Sequence, residues 1–199
     1  MRFRIPSGYE DFCKPSPYCE ANDPVIKNLA ESITKNSKTE EEAAKALFEW
    51  VRDRVVWRIE KIVGAKKLLE RKPLYGICAD KANLFIALCR AINLPARYLM
   101  LDCELETEKK ELKKLSHHMA AEVFVKGRWV IADPTFGKHT EKLVSLSEFG
   151  KEPWVKAKNV KRIKKLSFFT VWMANLFISI SPSSKNLKKI LEESSGLEL

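Results

Sequence analysis

The chain has 199 residues, of which 45% are hydrophobic, 31% are charged and only seven are glycine. This composition predicts one globular domain, alone or with a C-terminal extension, and excludes a disordered or fibrous chain. The formal net charge of +10 would attract polyanions, but no basic and aromatic RNA-binding motif is present, so we expect no nucleic-acid partner. The N-terminus lacks the apolar segment of a secretory signal, and the five cysteines lack framework spacing, which together predict reduced thiols and a cytoplasmic location.

The N-terminal part of the chain, residues 1–38, is predicted to form an irregular arm followed by a helix. Asp23 precedes a proline, a pair that is typical of a helix N-cap, and the apolar spacing then predicts a helix over 24–35. Thr39 is followed three residues later by a glutamate, which fits a capping box and predicts a second helix running to about Val56. The residues that this second helix is expected to bury are Ala43, Leu47, Trp50 and Val51.

A third helix is predicted directly after Cys78, which lies two residues beyond Gly76. Apolar residues then recur at helical spacing, at Ala82, Phe85, Ile86 and Cys89, and Pro95 follows where the helix can no longer continue. Cys78 would therefore lie at or just before the N-terminus of a buried helix, where free backbone N–H groups and the helix dipole favour a thiolate. Gly76 would let the chain turn sharply and leave space for a substrate beside the sulfur.

Two apolar runs that flank a short turn containing Gly127 predict a β-hairpin. His118 lies near the start of the first run and Asp133 ends the second. Since the start of one antiparallel strand lies beside the end of the next, the two side chains can be neighbours. The adjacent His117 is interpreted as a bystander.

The stretch that leads into this hairpin is strongly charged. Residues 96–101 predict the first strand of the sheet, and the residues from Glu104 to Leu115 are then dense in Glu and Lys. We interpret this second segment as a solvated loop or a short surface helix. The alternative is that this segment borders the cleft, because it leads straight into His118.

Taken together, these segments resemble the transglutaminase-like superfamily, a group of papain-like cysteine enzymes. The similarity covers roughly Thr39 to Thr135. The motifs that carry it are Gly76-Ile77-Cys78 with its helix, Leu94-Pro95-Ala96-Arg97, His118 four residues before Glu122, and Trp129 followed by Asp133-Pro134-Thr135. The family often has an aromatic residue two positions after the histidine, where this chain has Ala120, and this departure bears on substrate preference.

The resemblance implies an α+β, papain-like fold in which N-terminal helices, with the nucleophile on a central helix, pack on an antiparallel sheet. The catalytic core would span 39–155, and Cys78, His118 and Asp133 would be its catalytic residues. Trp57 would either lend its indole N–H to the oxyanion site or be a core or groove residue. No metal or organic cofactor is implied.

The activity implied by the resemblance is thiol-dependent acyl transfer on a peptide or protein substrate. Hydrolysis of a peptide or amide bond through a thioester is the leading hypothesis, because water is the default acceptor. A protein-crosslinking transamidase is the second hypothesis, and it would need a site that excludes water and admits lysine. A catalytically inactive binding or scaffold domain is the third.

The C-terminal segment, residues 156–199, is predicted to be an extension packed on the core. Six basic residues between Lys156 and Lys165 precede an apolar run over 167–180, which is too short for a span of ~20 residues. This run is interpreted as a helix or strand buried on the domain, or as a dimer contact. Peripheral contact of residues 156–180 with a membrane surface is the alternative, because a basic segment followed by an aromatic-rich one can also lie there. Ser183 is predicted to cap a last helix, and the oligomeric state is left open.

Overall fold

A computed structural model describes residues 2–107, 109–140 and 145–180. Among these residues the structure contains five α-helices and six strands, besides two short 3₁₀ turns at Glu10–Phe12 and Lys138–Thr140. In chain order the elements are α1 (Pro24–Ile33), α2 (Glu40–Arg54), β1 (Val56–Trp57), α3 (Ala65–Leu69), β2 (Tyr75–Gly76), α4 (Cys78–Ala91), β3 (Ala96–Glu106), β4 (Leu112–Val125), β5 (Arg128–Ala132), β6 (Lys156–Ile163) and α5 (Phe168–Ile180).

Capping side chains set the first two helices, as predicted. The Asp23 carboxylate accepts a hydrogen bond from the Val25 N–H at 2.9 Å, and the Thr39 hydroxyl accepts one from the Glu42 N–H at 3.2 Å. Glu42 departs from the predicted box, because its carboxylate reaches one residue further back and accepts from the Lys38 N–H at 2.7 Å. Both helices end two residues before the predicted limits.

Helix α4 is the centre of the molecule. It packs against α1, α2 and α3 and against the strands β3 and β4. All of its residues after Cys78 are buried, so the helix is covered on every side. The sequence had predicted burial of one apolar face only. The helix therefore fixes the position of Cys78 relative to every other element of the core.

A four-stranded antiparallel sheet with the order β5-β4-β3-β6 lies beside the helices. The β4–β5 hairpin turns at Lys126 and Gly127, whose φ angles of 50° and 75° are those of a tight two-residue turn that matches the strand twist. This hairpin was predicted from the sequence. A separate two-stranded parallel pair, β1 with β2, places Trp57 opposite Gly76.

The predicted loop or surface helix between Glu104 and Leu115 is wrong, because these residues extend β3 and β4 into one long hairpin. The side chains alternate along it, with Cys103 and Leu105 buried and Glu106 exposed. This period of two is the signal of a strand with one covered face, and the density of Glu and Lys concealed it.

The C-terminal part of the described chain adds both sheet and helix. Strand β6 pairs with β3 along its length, so residues 156–163 complete the main sheet. Helix α5 follows it, and most of its side chains are exposed rather than buried. In the part of the chain that the structure describes, no helix has the length and apolarity to cross a membrane. The predicted helix after Ser183 lies outside the described residues, and the boundaries at 38/39 and 155/156 stay predictions.

Candidate active site

Cys78 occupies the first position of α4, as predicted, and its side chain is half-buried. Asp80 holds the segment that leads into the helix, because its carboxylate accepts hydrogen bonds from the Ile77 N–H at 3.1 Å and the Val63 N–H at 2.8 Å. Gly76 packs directly on Asp80, and a Cβ added at this glycine would lie 2.6 Å from the Asp80 Cβ. Position 76, in the chain segment that leads to Cys78, therefore has no space for a side chain and requires glycine.

His118 is buried on β4, with 3% of its surface exposed. Its Nε2–H donates to the Asp133 carboxylate at 2.7 Å, and Cys78 lies near enough to the ring to help raise its pKa. Because Nε2 is engaged by Asp133, Nδ1 is the nitrogen left for the sulfur. The ring stacks on Phe136 at a centroid distance of 5.9 Å and meets the edge of Trp154 at 6.2 Å. These contacts fix the imidazole between the thiol and the carboxylate.

A β-bulge determines which of the two adjacent histidines faces the site. The register of β3 and β4 shifts by one residue between the pair Leu101–His118 and the pair Cys103–Leu115. His117 lies in the extra position with a φ of 57°, exposed, and its N–H donates to the Asp102 carboxylate at 2.9 Å. The bulge thus turns His117 to solvent and His118 inward.

Asp133 follows the last residue of β5 and is fully buried. Ala121 pairs with Ala132, so the next residue, Asp133, lies opposite Ala120. Ala120 and His118 are two residues apart on β4 and share one face of the sheet, so Asp133 lies on the same face as His118. One carboxylate oxygen accepts from His118, and the other accepts from the Thr135 N–H at 3.0 Å. Both oxygens are thus held by N–H donors.

The buried His118 and Asp133 stabilise each other's charged forms. Burial alone would lower the pKa of His118, but the charge and hydrogen bond of Asp133, together with the contact to Cys78, raise it well above 6.5. Burial would likewise raise the pKa of Asp133, yet the charge and hydrogen bond of His118 hold it below 3.8. The geometry therefore favours an imidazolium between a carboxylate and a thiol at neutral pH.

Lys81 supports the site from inside the core, and we did not predict its role from the sequence. Its ammonium donates to the backbone carbonyls of Arg52 at 3.1 Å, Val55 at 2.8 Å and Thr135 at 3.1 Å. Burial lowers the pKa of Lys81 to about 7, and the charge of Asp133 opposes that shift. A lysine about one turn after Cys78, in a helix that is mostly apolar, was the available sequence signal.

Trp57 lies in strand β1 opposite Gly76 and is half-buried. The next residue, Arg58, donates its N–H to the Gly76 carbonyl at 3.1 Å, so this strand runs beside the segment that ends at Cys78. The structure thus places Trp57 close to the nucleophile segment, and its part in an oxyanion site stays a prediction. Within the described residues, no group of three or more His, Cys, Asp or Glu side chains could hold a metal ion.

Comparisons with known proteins found one family model and several solved structures that are similar to this chain. The family model described as "Transglutaminase-like superfamily" matches residues 27–134, more than half of the chain. A "Putative Cysteine Protease from Cytophaga hutchinsonii" superposes with a TM-score of 0.53 and 20% identity, over 82% of this chain and 58% of that one. An arylamine N-acetyltransferase from Nocardia farcinica superposes with a TM-score of 0.53 and 11% identity, over 86% and 74% of the two chains.

The two structural likenesses bear on the fold alone, since both identities are low. The chain spans less than two thirds of the Cytophaga protein. No curated protein matches the sequence. The predicted fold class, an α+β papain-like core with an antiparallel sheet, is confirmed.

Proposed function

The chain belongs to the transglutaminase-like superfamily, and from this premise we propose that it is a thiol-dependent acyl-transfer enzyme acting on peptide or protein substrates. The observation that carries the proposal is the hydrogen bond between His118 and Asp133, with Cys78 beside the same imidazole at the N-terminus of the central helix. A nucleophile, a base and a group that orients the base are the elements of covalent acyl transfer.

In the proposed reaction the Cys78 thiolate attacks the carbonyl carbon of a carboxamide or peptide bond. A C–S bond forms and the carbonyl oxygen becomes an oxyanion. The free N–H of Cys78 at the helix N-terminus is the first donor available to that oxygen, and the indole N–H of Trp57 is the second candidate. The C–N bond then breaks, and the His118 imidazolium gives its proton to the leaving amine.

The resulting thioester is resolved by a second acceptor. In hydrolysis, water attacks the thioester, His118 takes its proton, and the products are a carboxylic acid and the restored thiol. In transamidation, an amine takes the place of water. We favour hydrolysis because Cys78 is half-buried rather than enclosed, and water therefore has access to the sulfur. Free thiols at all five cysteines support the cytoplasm as the proposed compartment.

Selective alkylation tests whether the site is active. Burial raises the pKa of Cys13 and Cys19 to about 11, and it also raises the pKa of Cys89 and Cys103. Iodoacetamide at mildly acidic pH should therefore modify Cys78 first, and peptide mass spectrometry would locate the label. Cys13 is the matched control, because it is the other half-buried thiol. Equal labelling of Cys13 and Cys78 would favour the inactive scaffold domain.

A substrate screen then distinguishes the two active hypotheses. A library of peptides and primary amides is incubated with wild type, Cys78→Ala and Cys13→Ala, with and without an added amine. New peptide ends, or ammonia released when no amine is added, would support hydrolysis if they are absent only in Cys78→Ala. Incorporation of the amine in preference to water would support the transamidase. No product from any substrate, together with unselective labelling, would contradict the enzyme proposal.

A further inference from the structure

Helix α5 (Phe168–Ile180) has two different faces, although it carries no charged residue. Its inner face meets the domain through the buried Val171, the half-buried Ala174 and Ile178, and Asn175. Asn175 fixes the helix, because its side chain accepts from the Ile62 N–H at 2.7 Å and donates to the Ile62 carbonyl at 3.1 Å. These positions follow helical spacing, so the opposite side of α5 points away from the core.

The outer face of α5 is formed by large apolar side chains with 42% to 72% of their surface exposed: Phe168, Phe169, Trp172, Met173, Leu176 and Phe177. The rings of Phe169 and Trp172 lie 6.1 Å apart and form a continuous surface. Exposed apolar patches beyond roughly 300–600 Å² are unusual on a monomer and mark interaction sites. A whole aromatic side chain presents about 150–250 Å², and the four on this face are 51% to 72% exposed, so together they expose roughly 400–650 Å².

A strongly basic segment precedes this face. Strand β6 and the link to α5 carry six exposed basic residues: Lys156, Lys158, Lys161, Arg162, Lys164 and Lys165. Lys165 stands three residues before Phe168, so its charge lies within about one Debye length, ~10 Å, of the apolar face. Positive charge and exposed aromatic surface therefore act at one place on the molecule.

This charge selects among the possible occupants of the face. A second copy of the chain, with the same net charge of +10, would bring a like-charged basic segment against this one. An anionic lipid bilayer offers negative headgroups for the basic residues and an interfacial region in which Trp and Phe are stabilised. We infer that α5 and the basic residues 156–165 dock the protein on the surface of an anionic membrane, with α5 lying in the interface.

Vesicle sedimentation of the full chain tests the inference. The probes are vesicles of phosphatidylcholine alone and vesicles in which roughly one third is phosphatidylglycerol. We expect wild type to sediment with the anionic vesicles only, and to be released by high salt because screening weakens the attraction. On binding, the emission of Trp172 should shift to the blue, and Trp172→Phe should keep binding while losing that shift.

Matched variants separate the apolar and basic contributions. Replacing Phe169, Trp172 and Phe177 by Ser should abolish sedimentation, whereas Val25→Ser, at an apolar residue that is 51% exposed on α1, should not change it. The pair Lys161→Glu and Lys165→Glu should weaken binding at least tenfold, an estimate from about 1 kcal/mol per basic residue near the surface. The pair Lys35→Glu and Lys38→Glu makes the same charge change elsewhere and should weaken binding less.

Two results would overturn the inference. The first is failure of wild type to bind anionic vesicles, or equal binding by the triple Ser variant. The second is a concentration-dependent dimer in analytical ultracentrifugation that the triple Ser variant abolishes while vesicles have no effect, because α5 would then be an interface between two copies. Thermal unfolding of each variant confirms that the substitutions at exposed positions leave the fold intact.

Discussion

Replacing Asp133 by Asn is the sharpest test of the proposed relay. Both Asp133 oxygens accept hydrogen bonds, one from the His118 Nε2–H at 2.7 Å and the other from the Thr135 N–H at 3.0 Å. Asn has one carbonyl oxygen and one amide that only donates, so it cannot accept both bonds. If its oxygen keeps Thr135, its amide faces Nε2 and favours the tautomer with the proton on Nδ1. That tautomer cannot take the proton of Cys78.

The structure gives a magnitude for this loss. Asp133 is fully buried, so its charge acts on His118 with little screening by solvent. A positioned general base contributes about 10²–10⁴-fold to rate, or about 3–5 kcal/mol of transition-state stabilisation. We expect Asp133→Asn to lower kcat/KM by a factor within that range, and by a smaller factor than Cys78→Ala does. Asp23→Asn is the matched control, since Asn serves as well as Asp at a helix N-cap.

The dependence on pH distinguishes the relay from a structural effect. Asp133 raises the pKa of His118, so its loss lets the imidazolium deprotonate at lower pH and shifts the alkaline limb of kcat/KM downward. The profile should therefore narrow from its alkaline side. An unchanged profile with a lower melting temperature would refute the relay and leave Asp133 as a turn residue before Pro134.

Three further substitutions test other parts of the site. His118→Ala should abolish turnover and His117→Ala should leave it unchanged, and the reverse result would show that the bulge presents the other histidine. Gly76→Ala should lower the free energy of unfolding, measured with denaturant, by about 1–3 kcal/mol and should slow alkylation of Cys78, because the new Cβ would lie 2.6 Å from the Asp80 Cβ. An unchanged free energy of unfolding would contradict this close packing. Lys81→Met should lower kcat. Burial lowers the pKa of Lys81 in the folded protein from 10.5 to about 7. The free energy of unfolding of the wild type relative to Lys81→Met should therefore rise as the pH increases from about 7 to 10.5. A difference in unfolding free energy that does not depend on pH would contradict this.

Local signals in the sequence predicted the first two helices and the β4–β5 hairpin. Asp23 and Thr39 are side chains that satisfy free N–H groups at helix starts, and both helices begin there. Gly127 supplies the backbone freedom for the β4–β5 turn. Each of these signals depends on residues within one turn of the chain, which is why a sequence pattern is enough to find it.

The remaining features depend on contacts between distant residues. The outer part of the β3–β4 hairpin, between Glu104 and Leu115, was missed because its covering residues, Phe136 and Trp154, come later in the chain and bury Cys103 and Leu105. The exposure of α5 was missed for the converse reason. An apolar run predicts burial, and only the packed domain shows how little of this helix has a partner among the described residues.

The first turn of α4 explains how one helix aligns the whole site. Cys78 is its first residue, Asp80 its third and Lys81 its fourth. Asp80 binds the chain before the helix, at Val63 and Ile77, and Lys81 binds the ends of α2 and of the segment after Asp133. Both are charged groups inside a core, where an unpaired charge costs several kcal/mol. Any displacement of α4 that would separate Cys78 from His118 must therefore also break these buried hydrogen bonds, so the residues next to the nucleophile resist the motion that would disassemble the site.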